Sequence, residues 1–544
     1  MKQIEITDSE LNSLPKEALI IMYHQMCTNQ TRLLEQNETL VKKIDDLTEQ
    51  IAILTQNRFG KRSEAEKQIE GQMSMSDYVD NILNEAESLT QNGTPAEKDI
   101  EVVVRTHTRK AGRRKEKLSA VEKEIVMHEC SEEVLDAAFP NGWHEIGEDV
   151  YSELQYTPAT FKVLEHHVKS YGGNHDGDTV IRADHPERIL DHSILSPELF
   201  AMIFNMKYVN AIPLNRLSEE IRRYDVILDR QDMAGWLISV YKYYMKPVHE
   251  MMKKNLMDAG LLHCDETPFV MPERSKQYMW VMHSPGKSGG PPIYLYEYLG
   301  GRNGEVIQDY LNGYKGVLVT DGYQPYHTIM KNSNDITVAG CYSHVRRKFA
   351  EIVKAVRKGE KLTPAQEIAA EAVKRIDALY HLDNKFKDSS DEERLKNRQE
   401  NIRPLVDDFF AWVKTFDSQT VSSSKLRTAL NYAENQEYYL RTFLDHPEVP
   451  LDNNASERAI RPFTVGRKNW VLIDSVKGAK ASAAIYSIVQ TAKLNNLRVY
   501  NYLEYILTEM KDIIDEDGHM DKEKLKPLLP WSNQLPQNCY KNNR

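Results

Sequence analysis

A chain of 544 residues exceeds one ordinary core, and at about 150 residues per domain it suggests three or four folded units. With 41% hydrophobic and 28% charged residues it is neither a membrane-embedded nor a wholly disordered sequence. Lys and Arg number 70 against 81 Asp and Glu, a net charge of −11 that on its face weighs against a partner as acidic as nucleic acid.

In chain order, residues 1–57 read as an N-terminal helix and coiled coil. Leu33, Leu40, Leu47 and Leu54 recur every seventh residue, and Ile44 and Ile51 fill the intervening a positions. Asn37 also falls at an a position, where a polar side chain is best satisfied by its own copy on a parallel partner, so a homodimer or higher oligomer is expected. Residues 58–120 form a linker ending in a basic arm, RTHTRKAGRRKEKL, whose Arg109, Lys110, Arg113 and Arg114 suit phosphate contact without base reading. Residues 121–178 alternate apolar and polar in YSELQYTPATFKVLEHHV, predicting strands of a small β-containing module. Residues 179–258 are helical in pattern. LNRLSEEIRRY and RQDMAGWLISVYKYY around DVILD fit a helix-turn-helix, although Met233, Trp236, Leu237, Val240 and Tyr244 at helical spacing fit a core-facing stripe better.

From Gly260 the texture turns to strands: LLHCDE, YMWVMHS, PIYLYEYL, GVLVTDG and ITVAGCYSH. Helical patterns follow the third (Glu305 to Leu311) and the fifth (Val345 to Val356), which together predict a mixed α/β sheet. The core is divided into parts at 259–358 and 450–510 by a charge-rich helical insertion at 359–449, and 511–544 form a tail. PGKSGG at 285–290 imitates a P-loop but lacks its first glycine and joins two strands, so it is a hairpin loop.

Three acids stand apart. Asp265 ends a short apolar strand, Asp321 ends another, and Glu457 lies in DNNASERAIRP, a helix start capped by Asp452, Asn453 or Asn454. Carboxylates at the ends of neighbouring strands, joined by one from a helix, make a hard-oxygen site suited to Mg2+ or Mn2+. Basic residues rim these acids: Arg346, Arg347 and Lys348 after His344, and Arg458, Arg461, Arg467 and Lys468 after Glu457. Such a rim holds a phosphodiester backbone while metal ions act on the reacting oxygens. Pro462 biases Arg461 away from helical geometry.

The strings HCDETP, VTDGYQPYH, GCYSHVRRKF and above all LDNNASERAIRPFTVGRKNW resemble the DDE transposases of the insertion-sequence-66 family, and the likeness covers nearly the whole chain. The resemblance implies an α/β, RNase H-like catalytic core. It makes Asp265, Asp321 and Glu457 the catalytic and metal-binding triad, with two Mg2+ or Mn2+ ions per site. The implied partners are double-stranded DNA, namely element ends and target, together with accessory proteins encoded by the same element. Family members commonly carry paired C-x-x-C motifs flanking the Ile146 to Tyr171 stretch, where this chain has FPNGW and GGNHDGD. Its cysteines, Cys27, Cys130, Cys264, Cys341 and Cys539, form no such pair, so a structural zinc is not expected, and a reducing, cytoplasmic setting is. Cys341 and His344 form C-x-x-H, similar to a signature of several DDE groups, which implies a supporting role for His344 near DNA or metal. The expected activity is metal-dependent DNA cleavage and strand transfer. Two other readings stay open: an RNase H-like nuclease or resolvase, and a non-catalytic DNA-binding dimer.

Overall fold

The computed structural model describes residues 15–59, 159–171, 181–184 and, with short breaks, 188–541, with a few isolated positions between 125 and 144. The basic arm with Arg109, Lys110, Arg113 and Arg114, and Cys130, lie outside the described residues.

Helix α1 (Lys16–Phe59) has 44 residues, about 66 Å at the helical rise. Its Leu33, Leu40, Ile44, Leu47 and Ile51 are exposed, as is Asn37, so the heptad stripe lies open along a single chain. Leu54 is helical, but its side chain falls outside the described residues. Of the strands expected in YSELQYTPATFKVLEHHV, YSELQYTP lies outside the described residues; residues 159–169 are irregular, and among the described residues of this module the strand pairing is that of Ser170–Tyr171, antiparallel, with Ile181–Arg182. Alternation alone supplies no ladder partner, and Val163 and Leu164 stand exposed.

Next come α2 (Pro197–Phe204), α3 (Leu214–Arg222), α4 (Arg230–Val240) and α5 (Lys246–Met257). Ser196 caps α2 by accepting the Leu199 N–H. Met233, Leu237, Val240 and Tyr244 are buried and Trp236 packs against the same core, so this stripe on and after α4 faces inward.

The sheet comprises β1 (Leu261–Met271), β2 (Ser275–Ser284), β3 (Ile293–Tyr298), β4 (Gly316–Val319) and β5 (Ile336–Ala339) in the order β3-β2-β1-β4-β5. β1, β2 and β3 pair antiparallel through short connections, whereas β4 and β5 run parallel to β1 and follow helical crossovers. These are α6 (Gly304–Tyr310) and α7 (Gln324–Asn332). All five strands expected from the sequence are present. Helix α7 was not anticipated: it is nine residues long, and Pro325 opens its first turn.

After β5 come α8 (Tyr342–Lys354), α9 (Pro364–Asn384), α10 (Asp391–Asn397), α11 (Arg403–Val413), α12 (Ser424–Leu440), α13 (Asn454–Trp470), α14 (Val476–Leu494) and α15 (Val499–Glu509). Two cores sandwich the sheet. On one side α2 to α5, α13 to α15 and the C-terminal residues Leu525 to Cys539 pack with β1 to β3. On the other, Leu261, Val317, Val319 and Ala339 pack with α8, α9, α11 and α12, so the helical insertion covers a sheet face. α14 also lies along edge strand β3. Ser487 and Thr491 accept the Tyr296 and Tyr294 N–H groups at 2.8 and 3.0 Å, satisfying backbone donors that an open edge would expose. Among the described residues no helix is long and apolar enough to cross a membrane.

Candidate active site beyond the paired ends of β1 and β4

The parallel pairing of β1 with β4 runs from Leu261↔Val317 to His263↔Val319. Asp265 and Asp321 each follow two residues beyond the last pair, and neighbouring strands lie about 4.8 Å apart, so both acids emerge at one end of the sheet. Asp265 does not end its strand, as the sequence suggested. β1 continues to Met271 against β2, with Asp265 opposite Val281, because the hairpin partner extends further than β4 does. One oxygen of each acid is held locally: Asp265 Oδ1 accepts the Glu266 N–H at 2.8 Å, and Asp321 Oδ1 accepts the Tyr323 N–H at 2.9 Å.

Glu457 sits in the first turn of α13, which packs on β1 and β2. The start of that helix is fixed by a residue that sequence reasoning treated only as a possible cap. Asn453 is buried and makes no side-chain cap. Instead its Nδ2 donates to the Cys264 carbonyl at 2.9 Å, its Oδ1 meets His263 Nδ1 at 2.8 Å, and its backbone N–H donates to Cys341 Sγ at 3.2 Å. Burial drives the His263 imidazole down to about 4, and Arg458 adds to that effect, so the ring is neutral at pH 7 and its Nδ1–H is the donor. Asp452 does the capping, with Oδ1 accepting the Asn454 N–H at 3.1 Å. Asn453→Ala strands two buried partners and is expected to destabilise the fold by about 1–3 kcal/mol in urea unfolding. An unchanged midpoint would show that this junction does not hold α13.

Pro462 does not deflect Arg461: the helix runs through it to Trp470. Ala459, Ile460 and Phe463 are buried around it, and their packing offsets the lost backbone bond.

The acids share a crowded field. Burial raises the Asp265 carboxyl well above its ordinary value, and the charges of Glu266, Asp321 and Glu457 push the same way. Glu457 Oε1 accepts from Arg347 Nη2 at 2.8 Å and lies 3.9 Å from His344 Nε2. Burial, then Arg347, hold the His344 imidazole below its usual value, and its buried Nδ1 has no hydrogen-bond partner. Among the described residues no three His, Cys, Asp or Glu side chains are gathered closely enough to hold an ion.

The basic rim divides. Arg346 forks onto Asp377 of α9 at 2.6 and 3.2 Å, Arg347 meets Glu457, and Lys348 lies 4.5 Å above the Tyr432 ring. Arg467 donates to Thr267 Oγ1 at 3.1 Å and to the Pro268 carbonyl, which ties α13 to β1. Arg458 and Lys468 are exposed and Arg461 is half-buried. Trp470 packs edge-on to Phe463, and His327 is buried and stacked on Tyr439 at 3.8 Å.

The C-terminal region matches, at residues 487–531, the IS66 C-terminal element, and residues 46–126 match the family described as Transposase C of IS166 homeodomain. Three proteins of Sinorhizobium fredii (strain NBRC 101917 / NGR234) are similar. Uncharacterized protein y4hP is 30% identical over 403 residues, covering 71% of each chain. Uncharacterized protein y4jD is 27% identical over 402 residues, covering 72% of this chain and 76% of its own. Uncharacterized protein y4qI is 26% identical over 402 residues, covering 71% of each. No solved structure matches. Residues 192–481, more than half of the chain and the span that contains the sheet and all three acids, match the Transposase IS66 family, and the chain belongs to that family.

Proposed function

We propose that the protein is a DNA transposase in which Asp265, Asp321 and Glu457 form one Asp-Asp-Glu site on an RNase H-like core and act with two divalent ions, Mg2+ or Mn2+. The observation that carries this reading is the equal offset of Asp265 and Asp321 beyond the last β1–β4 pair, with Glu457 on the helix packed over β1. The mixed strand order, three antiparallel strands followed by two parallel ones, supports the RNase H-like assignment. The carboxylate oxygens suit a hard cation, and the crowding of charge around Asp265 is what a bound cation would relieve. The chemistry supplied by such ions is activation of the attacking oxygen and stabilisation of the leaving one.

Asp265, Asp321 and Glu457 would hold the ions once drawn closer together than their side chains stand in this structure, and Glu457 has to give up Arg347 to do so. That exchange releases the Arg347 guanidinium for a DNA phosphate beside the cut. Exposed Arg458 and Lys468, half-buried Lys348 midway along α8, and the arm around Arg109 to Arg114 supply further phosphate contacts. The open stripe of α1 pairs two copies, so that two element ends are brought together. Accessory proteins of the same element complete the proposed assembly.

The test supplies purified full-length protein and Mg2+ with a pre-cleaved end, taken from the DNA flanking the coding sequence, and with target DNA. Joined product is expected. Glu457→Gln, with DNA binding intact, is expected to lose joining by at least about a hundredfold. Cutting without joining would mark a nuclease or resolvase, and neither reaction a non-catalytic DNA-binding protein.

A further inference from the structure

The two strand acids are joined by a second route through the fold. Glu266, whose amide holds Asp265 Oδ1, has a side chain only 2% exposed. Its Oε1 accepts Arg302 Nε at 2.7 Å and Nη2 at 2.6 Å, and its Oε2 accepts the Tyr326 hydroxyl at 2.8 Å. Tyr323, whose amide holds Asp321 Oδ1, lies with its ring 4.0 Å from the Arg302 guanidinium and donates its hydroxyl to the Arg302 carbonyl at 2.9 Å. The Arg302 segment is itself fixed, because Trp280 Nε1 donates to the Gly301 carbonyl at 3.0 Å. One arginine, from the connection after β3, therefore grips both residues whose backbone amides orient the two acids.

We infer that Arg302, with Glu266 and Tyr323, is a positioning brace that sets the orientation of the Asp265 and Asp321 carboxylates relative to each other. The inference rests on the reading of those acids as metal ligands. The physical reason for such a brace is repulsion: two carboxylates at one sheet end push apart, and their spacing must be imposed from outside the site. A hydrogen bond from an amide fixes a carboxylate only as well as the amide is fixed. Glu266 is held in the sheet, but Tyr323 lies in the turn between β4 and α7 and has no ladder to hold it. Arg302 supplies that constraint by carrying the rigidity of β1 across to the turn. The guanidinium is half-buried and already neutralised by Glu266, so it serves as a spacer rather than as a free phosphate receptor.

The test uses the whole protein and three measurements: hydrogen exchange of the segment containing residues 321–323 and Mn2+ affinity by electron paramagnetic resonance, both without DNA, and, separately, affinity for DNA. Arg302→Gln is expected to speed exchange at Tyr323 and weaken Mn2+ binding by about tenfold or more, with DNA affinity changed by less than about twofold. Tyr323→Phe, which loses only the hydroxyl bond, is expected to move exchange and Mn2+ affinity the same way by less, and it covers the case in which Arg302→Gln does not fold. Unchanged exchange would overturn the brace. Faster exchange with unchanged Mn2+ affinity would overturn its role in orienting the acids, as would a loss of DNA affinity alone. If wild-type protein bound Mn2+ no better than Asp265→Asn, the metal-ligand reading would fall instead, and the exchange at Tyr323 would still decide whether the brace exists.

Discussion

Asp265→Asn is expected to abolish DNA cleavage and joining, by at least about a thousandfold, while making the metal-free protein more stable. Both effects come from one arrangement. Burial raises the Asp265 carboxyl, and Glu266, Asp321 and Glu457 add negative charge beside it, with a single backbone N–H in compensation. A carboxylic acid whose folded pKa is raised favours the protonated form, so ionising it at neutral pH works against the fold. Asparagine keeps the shape and removes the charge. The gain should be about 1 kcal/mol, the usual size of relieving one such conflict, read as the difference in urea unfolding free energy with EDTA present. The sign fixes its pH dependence: the advantage of the variant should vanish below about pH 4, where the unfolded wild-type carboxyl is also protonated, and grow as pH rises through the folded value. Adding Mg2+ should reverse the order, because an ion that binds only the folded wild type stabilises it by mass action. A variant less stable than wild type at pH 8 without metal would mean that Asp265 is a structural hydrogen-bonding group rather than a strained functional one.

The sheet and the three acids were legible for separate reasons. Short apolar runs bounded by turn residues marked all five strands, and the hairpin-like connections followed by strand-helix alternation marked a mixed sheet, whereas the crossover helix α7 between β4 and β5 carried no such signal. The acids stood out because each interrupted an apolar run or opened a helix. The side chains that hold them were not legible. Glu266, Arg302 and Tyr323 are far apart in sequence, and only the β3-β2-β1-β4-β5 order brings them together. Asn453 looked like a cap because asparagine before a helix usually is one. Its side chain turns inward because a buried imidazole and a strand carbonyl offer better partners there. The basic rim was read from charge alone, and charge does not disclose partners. Arg346 is taken by Asp377 and Arg467 by β1, whereas Arg458 and Lys468 remain exposed. The insertion was recognised as helical, but its role in covering a sheet face depended on Val317, Val319 and Ala339, whose outward direction follows from strand register.

Within that insertion, Asp383→Asn is expected to destabilise the protein by about 3–5 kcal/mol, the largest loss anticipated from a single exchange away from the acids. Arg398 is fully buried. Its Nε and Nη2 reach the two oxygens of Asp383 at 2.7 and 3.1 Å, and Nη1 donates to the carbonyls of Phe443 at 2.7 Å and His446 at 2.8 Å. Arg394 adds a further bond to Asp383 at 2.7 Å. The cluster joins α9 to the chain leaving α12, the segment that leads back to Asn453 and the start of α13. Replacing the carboxylate leaves a guanidinium buried without its counter-charge. Removing both charges together, as Asp383→Leu with Arg398→Met, should recover much of the loss, since desolvating the pair opposes the attraction it gains. Burial by itself would raise the Asp383 carboxyl, but bonds from Arg398 and Arg394 hold it below its ordinary value. A depressed folded value means that this stability is fully present above the unfolded value near about pH 4 and is lost as pH falls through the folded one. Urea unfolding at pH 7 should therefore separate wild type from Asp383→Asn widely, and the gap should narrow only in strong acid. A gap that instead closed between pH 5 and 7 would show that histidines, rather than this carboxylate, govern the coupling between the insertion and the sheet.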